Sequence, residues 1–358
     1  MEILLNPGPV NISDRVRNAL LKPDICHREE DFSRLQNSIR EKLIQIYNLN
    51  SHWAAVLLTG SGTAAVEAML TSLIGFEDHI LILENGIYGE RMTKICEIYD
   101  IPHTVQSHGW GEPINIELLA ENLNKGITKI ALVHHETTTG RLNNLDEISD
   151  IAKKHNVALL LDAVSSFGAE EIQFDNWNIS GCAATANKCL HGVPGISFSI
   201  LRRDCINEHH QAKSLYLDLG NYLKQQDIGG TPFTQSVQVL YALDEALNEH
   251  ADMGGWESRR NDYRLKMELL NKSFKSIKIK PYINPLDSSC VLSTYYLPEG
   301  KTYHELHDYL KHNGFVIYSG QGDLAAKVFR ISLMGAVTKI DIERLIDLIR
   351  NFANGQLP

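Results

Sequence analysis

The sequence predicts an α/β protein: a mostly parallel sheet in a large domain, followed by a smaller α+β domain. Three observations carry this. Short runs, apolar on both faces, alternate with helical patterns over the first two-thirds of the chain. Those runs lack the in–out alternation of a half-solvated antiparallel sheet, so helices must cover both sides. Beyond residue 234 the pattern changes to a long helical stretch, then short strands between amphipathic helices.

The elements follow in order. AAVLLT (54–59) enters a glycine loop and then the helical AAVEAMLTSLIG. HILILEN (79–85) precedes the helical GERMTKICEIYD. KIALVHHE (129–136) precedes LDEISDIAKKH, with Leu142, Leu145, Ile148 and Ile151 at helical spacing. VALLLDAV (157–164) is the next strand. Residues 234–270 read as a helical connector broken near Gly254-Gly255. SSCVLSTYYL comes next. Thr302 with Glu305 forms a capping box that opens a helix, and Gly314 stops it. FVIYSG and VFRISLMG read as strands. A last helix starts near Thr338 and runs through Ile342, Leu345, Ile349 and Phe352. The expected organisation is an N-terminal arm (1–15), a large domain (16–250) and a small C-terminal domain (251–358).

Composition narrows the function classes. The chain has 358 residues, 43% apolar and 22% charged, with a net charge of −10. Such an acidic surface has no electrostatic footprint for nucleic acid or an anionic membrane. An anionic ligand must be held locally, by placed cations or helix ends. The six cysteines are scattered with no C-x-x-C pair, which predicts a reduced, cytoplasmic protein. The fifteen histidines show no zinc spacing, so no metal is expected. MEILLNPGPV lacks the basic and apolar regions of a leader. No apolar run approaches the ~20 residues that cross a bilayer.

Two segments carry chemistry. GSGTAAVEA (60–68) lies between a strand and a helix, where backbone N–H groups and the helix dipole bind phosphate. Ser61 and Thr63 add hydroxyls, and Gly62 permits close approach. Alone, the loop is ambiguous. A capped turn would look the same. Gly60, Gly62 and Ala65 also fit G-x-G-x-x-A, with Glu84 about 20 residues on, where a dinucleotide fold places its ribose-binding acid. A nicotinamide dehydrogenase is therefore a rival reading.

The second segment pairs an acid with an amine. Asp162 ends the apolar strand VALLLD, and a carboxylate there points into the ligand crevice of a parallel sheet. Lys188 follows in CAATANKCLHGVPG, among small and apolar residues that would desolvate it and lower its pKa. Pyridoxal 5′-phosphate (PLP) chemistry needs this pair: an amine to hold the cofactor, and an acid to keep its ring nitrogen protonated.

Taken together, the segments NPGP (6–9), CHREEDF (26–32), GSGTAAVEA, ENGIYGERM (84–92), VHHETTTG (133–140), DAVSSFG (162–168), ANKCLHGVPG (186–195), GFVIYSG (314–320) and FRISLMG (329–335) resemble the class V, fold-type I PLP-dependent aminotransferases over nearly the whole chain. Within that family the chain is most similar to members acting on 2-aminoethylphosphonate and pyruvate. The resemblance implies a homodimer with shared active sites, PLP as cofactor, Lys188 as its covalent anchor and Asp162 as partner of the ring nitrogen. It implies Ser61, Gly62 and Thr63 as the phosphate loop, with Thr185 as a further phosphate contact. Tyr88 would stack on the ring, Thr138 would lie near the ring hydroxyl, and Arg330 would grip the substrate anion. Arg28 and Arg91 are weaker candidates for that cation and are expected to be structural. The family also has a threonine from the second subunit at the phosphate. GGTPFT makes Thr231, or the residue beside it, the nearest match. An alanine–glyoxylate or serine–glyoxylate transaminase and a PLP lyase remain alternatives within the same family.

Overall fold

The computed structural model describes residues 2–206 and 212–355. Its centre is a seven-stranded sheet in the order Trp53–Thr59, Ile196–Arg202, Ile179–Thr185, Ala158–Asp162, Lys129–Val133, Ile80–Glu84, His103–Ser107. Ile196–Arg202 runs antiparallel to both neighbours, and every other pairing is parallel. The antiparallel strand has a simple cause. It follows Ile179–Thr185 after a short loop, and a short loop can only return the chain antiparallel. That loop carries Lys188.

Alternation along the strands builds two cores from one sheet. Ala55, Leu57, Leu81, Leu83, Ile130, Leu132, Leu159 and Leu161 face one way, against the helix Glu30–Gln45 and the helix Leu145–Lys154. Ala54, Val56, Leu58, Ile80, Ile82, Ala131, Val133 and Leu160 face the other way, against the helices Gly62–Leu73, Ile87–Ile98 and Leu219–Asp227. Both side-chain sets are apolar because both faces are buried, which is why the strands read as continuous hydrophobic runs.

The expected connector is two helices, Val237–Asp252 and Gly255–Ser276, parted at Gly254. A three-stranded antiparallel sheet follows: Leu292–Tyr296, Val328–Ser332, Tyr318–Ser319. The Thr302–Glu305 capping box is present, and Thr338 with Asp341 forms a second.

Two features differ from the sequence pattern. KIALVHHE does not continue as one strand. It bends after Val133, and His135–Glu136 instead pairs with Arg141–Leu142 in a small hairpin. His134, His135 and Glu136 are buried and polar, and the two imidazoles lie within hydrogen-bond distance of the Ser166 hydroxyl and the Ser165 carbonyl. The N-terminal arm also does not hang free. Ile3–Leu4 pairs in parallel with Phe315–Val316, and Leu5 and Val10 join the core of the C-terminal third. Among the described residues, no helix is long and apolar enough to cross a membrane.

Candidate active site

The strand topology brings three chain segments to one edge. Strand Ala158–Asp162 ends at Asp162, strand Trp53–Thr59 runs into Gly60, and strand Ile179–Thr185 runs into the Lys188 loop. These are the carboxyl ends of the strands, where open α/β sheets bind ligands. A cavity of about 500 Å³ lies there. Its lining includes Ser61, Gly62, Thr63, Tyr88, Asp162, Thr185 and Lys188. Seven residues singled out from the sequence thus meet at one cavity.

Lys188 is half-buried along its stem, and its amine is desolvated. Burial lowers its pKa to about 8. Cys189 and Asp162 oppose the shift, while Arg330 and Arg91 add to it. Nζ donates to the carbonyl of Pro7. Gly8, at φ +108°, makes that approach possible: a Cβ there would lie 2.9 Å from Nζ. An amine poised this way is a nucleophile near neutrality. In the cofactor-free protein, covalent capture of an aldehyde should therefore accelerate as pH rises and level off above about pH 8, not above the usual 10.5. The unfolded chain holds this proton up to the higher value. Lys188's own contribution to stability accordingly rises with pH between the two. Stopped-flow capture rates against pH test this, and a midpoint near 10.5 would count against a desolvated amine.

Asp162 is buried, with Oδ1 accepting from Val164 N at 2.9 Å. Oδ2 has no hydrogen-bond partner among the described residues. Desolvation raises the carboxyl to about 6, against the pull of the Val164 N–H, Arg91 and Lys188. A cationic ring nitrogen beside it would reverse that shift.

The helix Gly62–Leu73 opens at Ser61, whose hydroxyl caps nothing, and its first turn holds no acid. Its N-terminus is therefore free for an anion. Thr63 Oγ1 accepts from Arg91 Nη1 at 3.0 Å. Arg91 also lies over the Tyr88 ring, 4.7 Å from its centroid, and lines the cavity. It was expected to be structural, and nothing in ENGIYGERM reveals that it sits one helical turn from Tyr88 on the cavity side. Thr185 Oγ1 lies 2.9 Å from Asn187 Oδ1 and 3.1 Å from the Ile196 carbonyl.

Three residues stand apart from this lining. Arg330 is buried, with Nε donating to Ser319 O at 2.8 Å and Nη1 to Thr137 O at 2.9 Å. Nη2 has no hydrogen-bond partner among the described residues, and the guanidinium is close enough to lower the Lys188 pKa. Thr138 is fully buried. Its hydroxyl donates to Glu136 at 2.6 Å and accepts from Ile87 N at 3.1 Å. Thr231 lies elsewhere in the chain and is fully buried. Its hydroxyl donates to Phe233 O at 3.1 Å and accepts from Gln235 Nε2 at 3.0 Å. Arg28 Nη1 bonds the Thr231 carbonyl, a structural contact.

The dinucleotide reading fails on topology. That fold puts its glycine loop on a central strand with the acidic strand beside it. Here the glycine loop follows an edge strand, and four strands separate it from the strand of Glu84. Glu84 is held by Thr93 of the following helix. A second cavity, of about 420 Å³, has paired arginines: Arg260 with Glu170 and Arg141 with Asp287.

The family model for aminotransferase class V matches residues 16–345. The chain belongs to the class-V aminotransferases. It is 36% identical over 355 residues to the 2-aminoethylphosphonate–pyruvate transaminase of Vibrio vulnificus (strain YJ016), covering 97% of this chain and 96% of that one. It is also 36% identical over 364 residues to a bifunctional phosphonoacetaldehyde hydrolase/aminoethylphosphonate transaminase of Clostridioides difficile (strain 630). That match covers 98% of this chain and 56% of the relative, so the chain spans little more than half of that protein. An aspartate aminotransferase of subgroup IV from Thermus thermophilus has the same fold, with a TM-score of 0.90 and 27% identity over 99% of this chain and 100% of that one.

A class-V aminotransferase works with PLP, and this cavity fits that group. The fit rests on an uncommitted helix N-terminus, a desolvated amine and a carboxylate oxygen without a protein partner, all at one cavity.

Proposed function

We propose that this class-V aminotransferase transfers the amino group of 2-aminoethylphosphonate to pyruvate, giving phosphonoacetaldehyde and L-alanine, or runs the reverse reaction. The observation that carries the proposal is the near-full-length similarity to an enzyme of that name. It is supported by a buried arginine with one free guanidinium nitrogen close to Lys188.

In this reading each residue has one task. Lys188 Nζ would hold the cofactor covalently, and an incoming amine would free it. The freed amine then takes the proton from the amine-bearing carbon and returns it at the opposite end of the transfer. When bound, the cofactor supplies the ring that accepts the electron pair left by that C–H bond. Asp162 Oδ2 keeps the ring nitrogen protonated. The Ser61-Gly62-Thr63 helix end and Thr185 take the phosphate, with Arg91 beside Thr63 as an added cation. Tyr88 would stack on the ring, and Thr138 would lie near its hydroxyl. Arg330 binds phosphonate in one half-reaction and carboxylate in the other, and its planar fork suits both anions.

The working assembly is a homodimer in which a neighbour of the buried Thr231 in GGTPFT reaches the other subunit's phosphate site. Residues 16–250 form the cofactor-binding unit and 251–358 the smaller unit, with the arm 1–15 tied across to the latter. The six cysteines are free, which suits a reducing cytoplasm.

A panel of amine donors offered with pyruvate, assayed for alanine, tests the substrate assignment. 2-Aminoethylphosphonate should exceed every α-amino acid in kcat/KM. Faster turnover of serine or alanine with glyoxylate would overturn the assignment and leave the family and cofactor intact.

A further inference from the structure

Glu136 occupies the centre of the site's polar scaffold. It is fully buried. One carboxylate oxygen, Oε1, accepts from the Thr138 hydroxyl at 2.6 Å and from Thr138 N at 3.1 Å. The other, Oε2, accepts from Tyr88 N at 3.1 Å and from Gly89 N at 3.4 Å. Those last two donors open the helix Ile87–Ile98, which has no side-chain cap of its own. A carboxylate from a distant hairpin therefore does the capping, with the helix dipole in its favour. Thr138 Oγ1 completes the set by accepting from Ile87 N at 3.1 Å.

The contact leaves no room for adjustment. A Cβ on Gly86 would lie 2.3 Å from Glu136 Cδ, so any side chain there would expel the carboxylate. The same turn also holds the substrate side, because the carbonyl of Thr137, between Glu136 and Thr138, accepts from Arg330 Nη1 at 2.9 Å. Glu136 makes no ion pair with Arg330, although its charge acts on the guanidinium. The acid thus leaves Arg330 free for an external anion while fixing the carbonyl that orients it.

We propose that Glu136 is a positioning residue that fixes Tyr88 and Arg330 in one frame, so that the cofactor face and the anion grip keep a constant separation. This rests on the roles given to Tyr88 and Arg330 above. Separation matters because a substrate spanning two anchors reacts only when both are in register, and misplacement of about 1 Å can cost ~100-fold.

Glu136→Gln is the sharpest test, measured on the PLP-loaded enzyme with the donor the panel selects. The amide keeps the volume but presents N–H groups to N–H donors, whichever way it flips. KM for both amine and keto acid should rise roughly ten-fold, the equivalent of one or two hydrogen bonds. The visible circular dichroism of the bound cofactor should change as Tyr88 shifts. Glu136→Asp keeps the charge and should recover part of both. The deciding measurement is a double-mutant cycle. In an Arg330→Ala background, Glu136→Gln should add little to KM, because the residue it works through is gone. Full additivity, or unchanged KM values in Glu136→Gln with only a lower melting temperature, overturns the proposal. If Glu136→Gln does not fold, Glu136→Asp and its cycle with Arg330→Ala carry the same test. If instead Arg330→Ala alone changes neither KM, the anion-site reading fails first, and this result is distinguishable from a failure at Glu136.

Discussion

Lys188→Ala is expected to abolish transamination and to leave no cofactor that borohydride can fix to the chain. Two losses coincide. The covalent anchor disappears, and so does the base that moves the proton. Positioned proton transfer alone is worth ~100- to 10,000-fold in rate. No other lysine among the described residues lines the cavity. Stability should suffer little, because the lost amine is a desolvated cation whose pKa is already lowered to about 8. Fixation, tryptic mapping and a melting curve on the same sample separate these effects. A variant that still carries fixed cofactor on a different lysine and turns over normally would refute the assignment.

Arg330→Ala is expected to raise KM for both the amine and the keto acid, with the cofactor still bound. The arginine is pinned by two backbone carbonyls, which leaves Nη2 for an incoming anion. Losing a charge-assisted contact of this kind costs about 1.5–3 kcal/mol per substrate. Arg330→Lys should restore only part, since an ammonium cannot reproduce the planar fork or the two carbonyl bonds together. Steady-state kinetics with each substrate varied in turn checks both statements. If neither KM moves, the anion site lies elsewhere, and the small sheet has another purpose.

Much of this site was legible in the sequence because its parts lie at strand ends. Asp162 closes an apolar run, Ser61-Gly62-Thr63 opens a helix, and both positions follow from pattern alone. Lys188 was legible through its small neighbours. Thr302 announced its helix through Glu305 three positions on, whereas the Thr338–Asp341 box emerged only in the structure. What stayed hidden depends on tertiary contact. Glu136 looks like the end of the strand KIALVHHE until the chain bends at His134 and delivers it to a helix far away in sequence. The signal that singles out Asp162, an acid closing an apolar run, is missing here, because two histidines precede Glu136 and three threonines follow it. Arg91 was undervalued because a lone arginine on a helix is usually solvated. Thr231 shows the opposite problem: the motif is present, but within its own chain the hydroxyl is already engaged.

The pairing of Ile3–Leu4 with Phe315–Val316 bears on how the molecule is made. Ile3–Leu4 is synthesised well before its partner, which follows the whole central sheet in the chain. The intervening sheet can assemble in the meantime, because its strands all lie between residues 53 and 202. Pro7, whose carbonyl faces the Lys188 amine, sits just beyond that first segment. The growing chain therefore holds its reactive lysine in an unfinished pocket until the last third arrives. Contacts that span almost the whole sequence form slowly, since the long loop between them must close first. Completion of the active site therefore waits on the segment that carries Phe315–Val316.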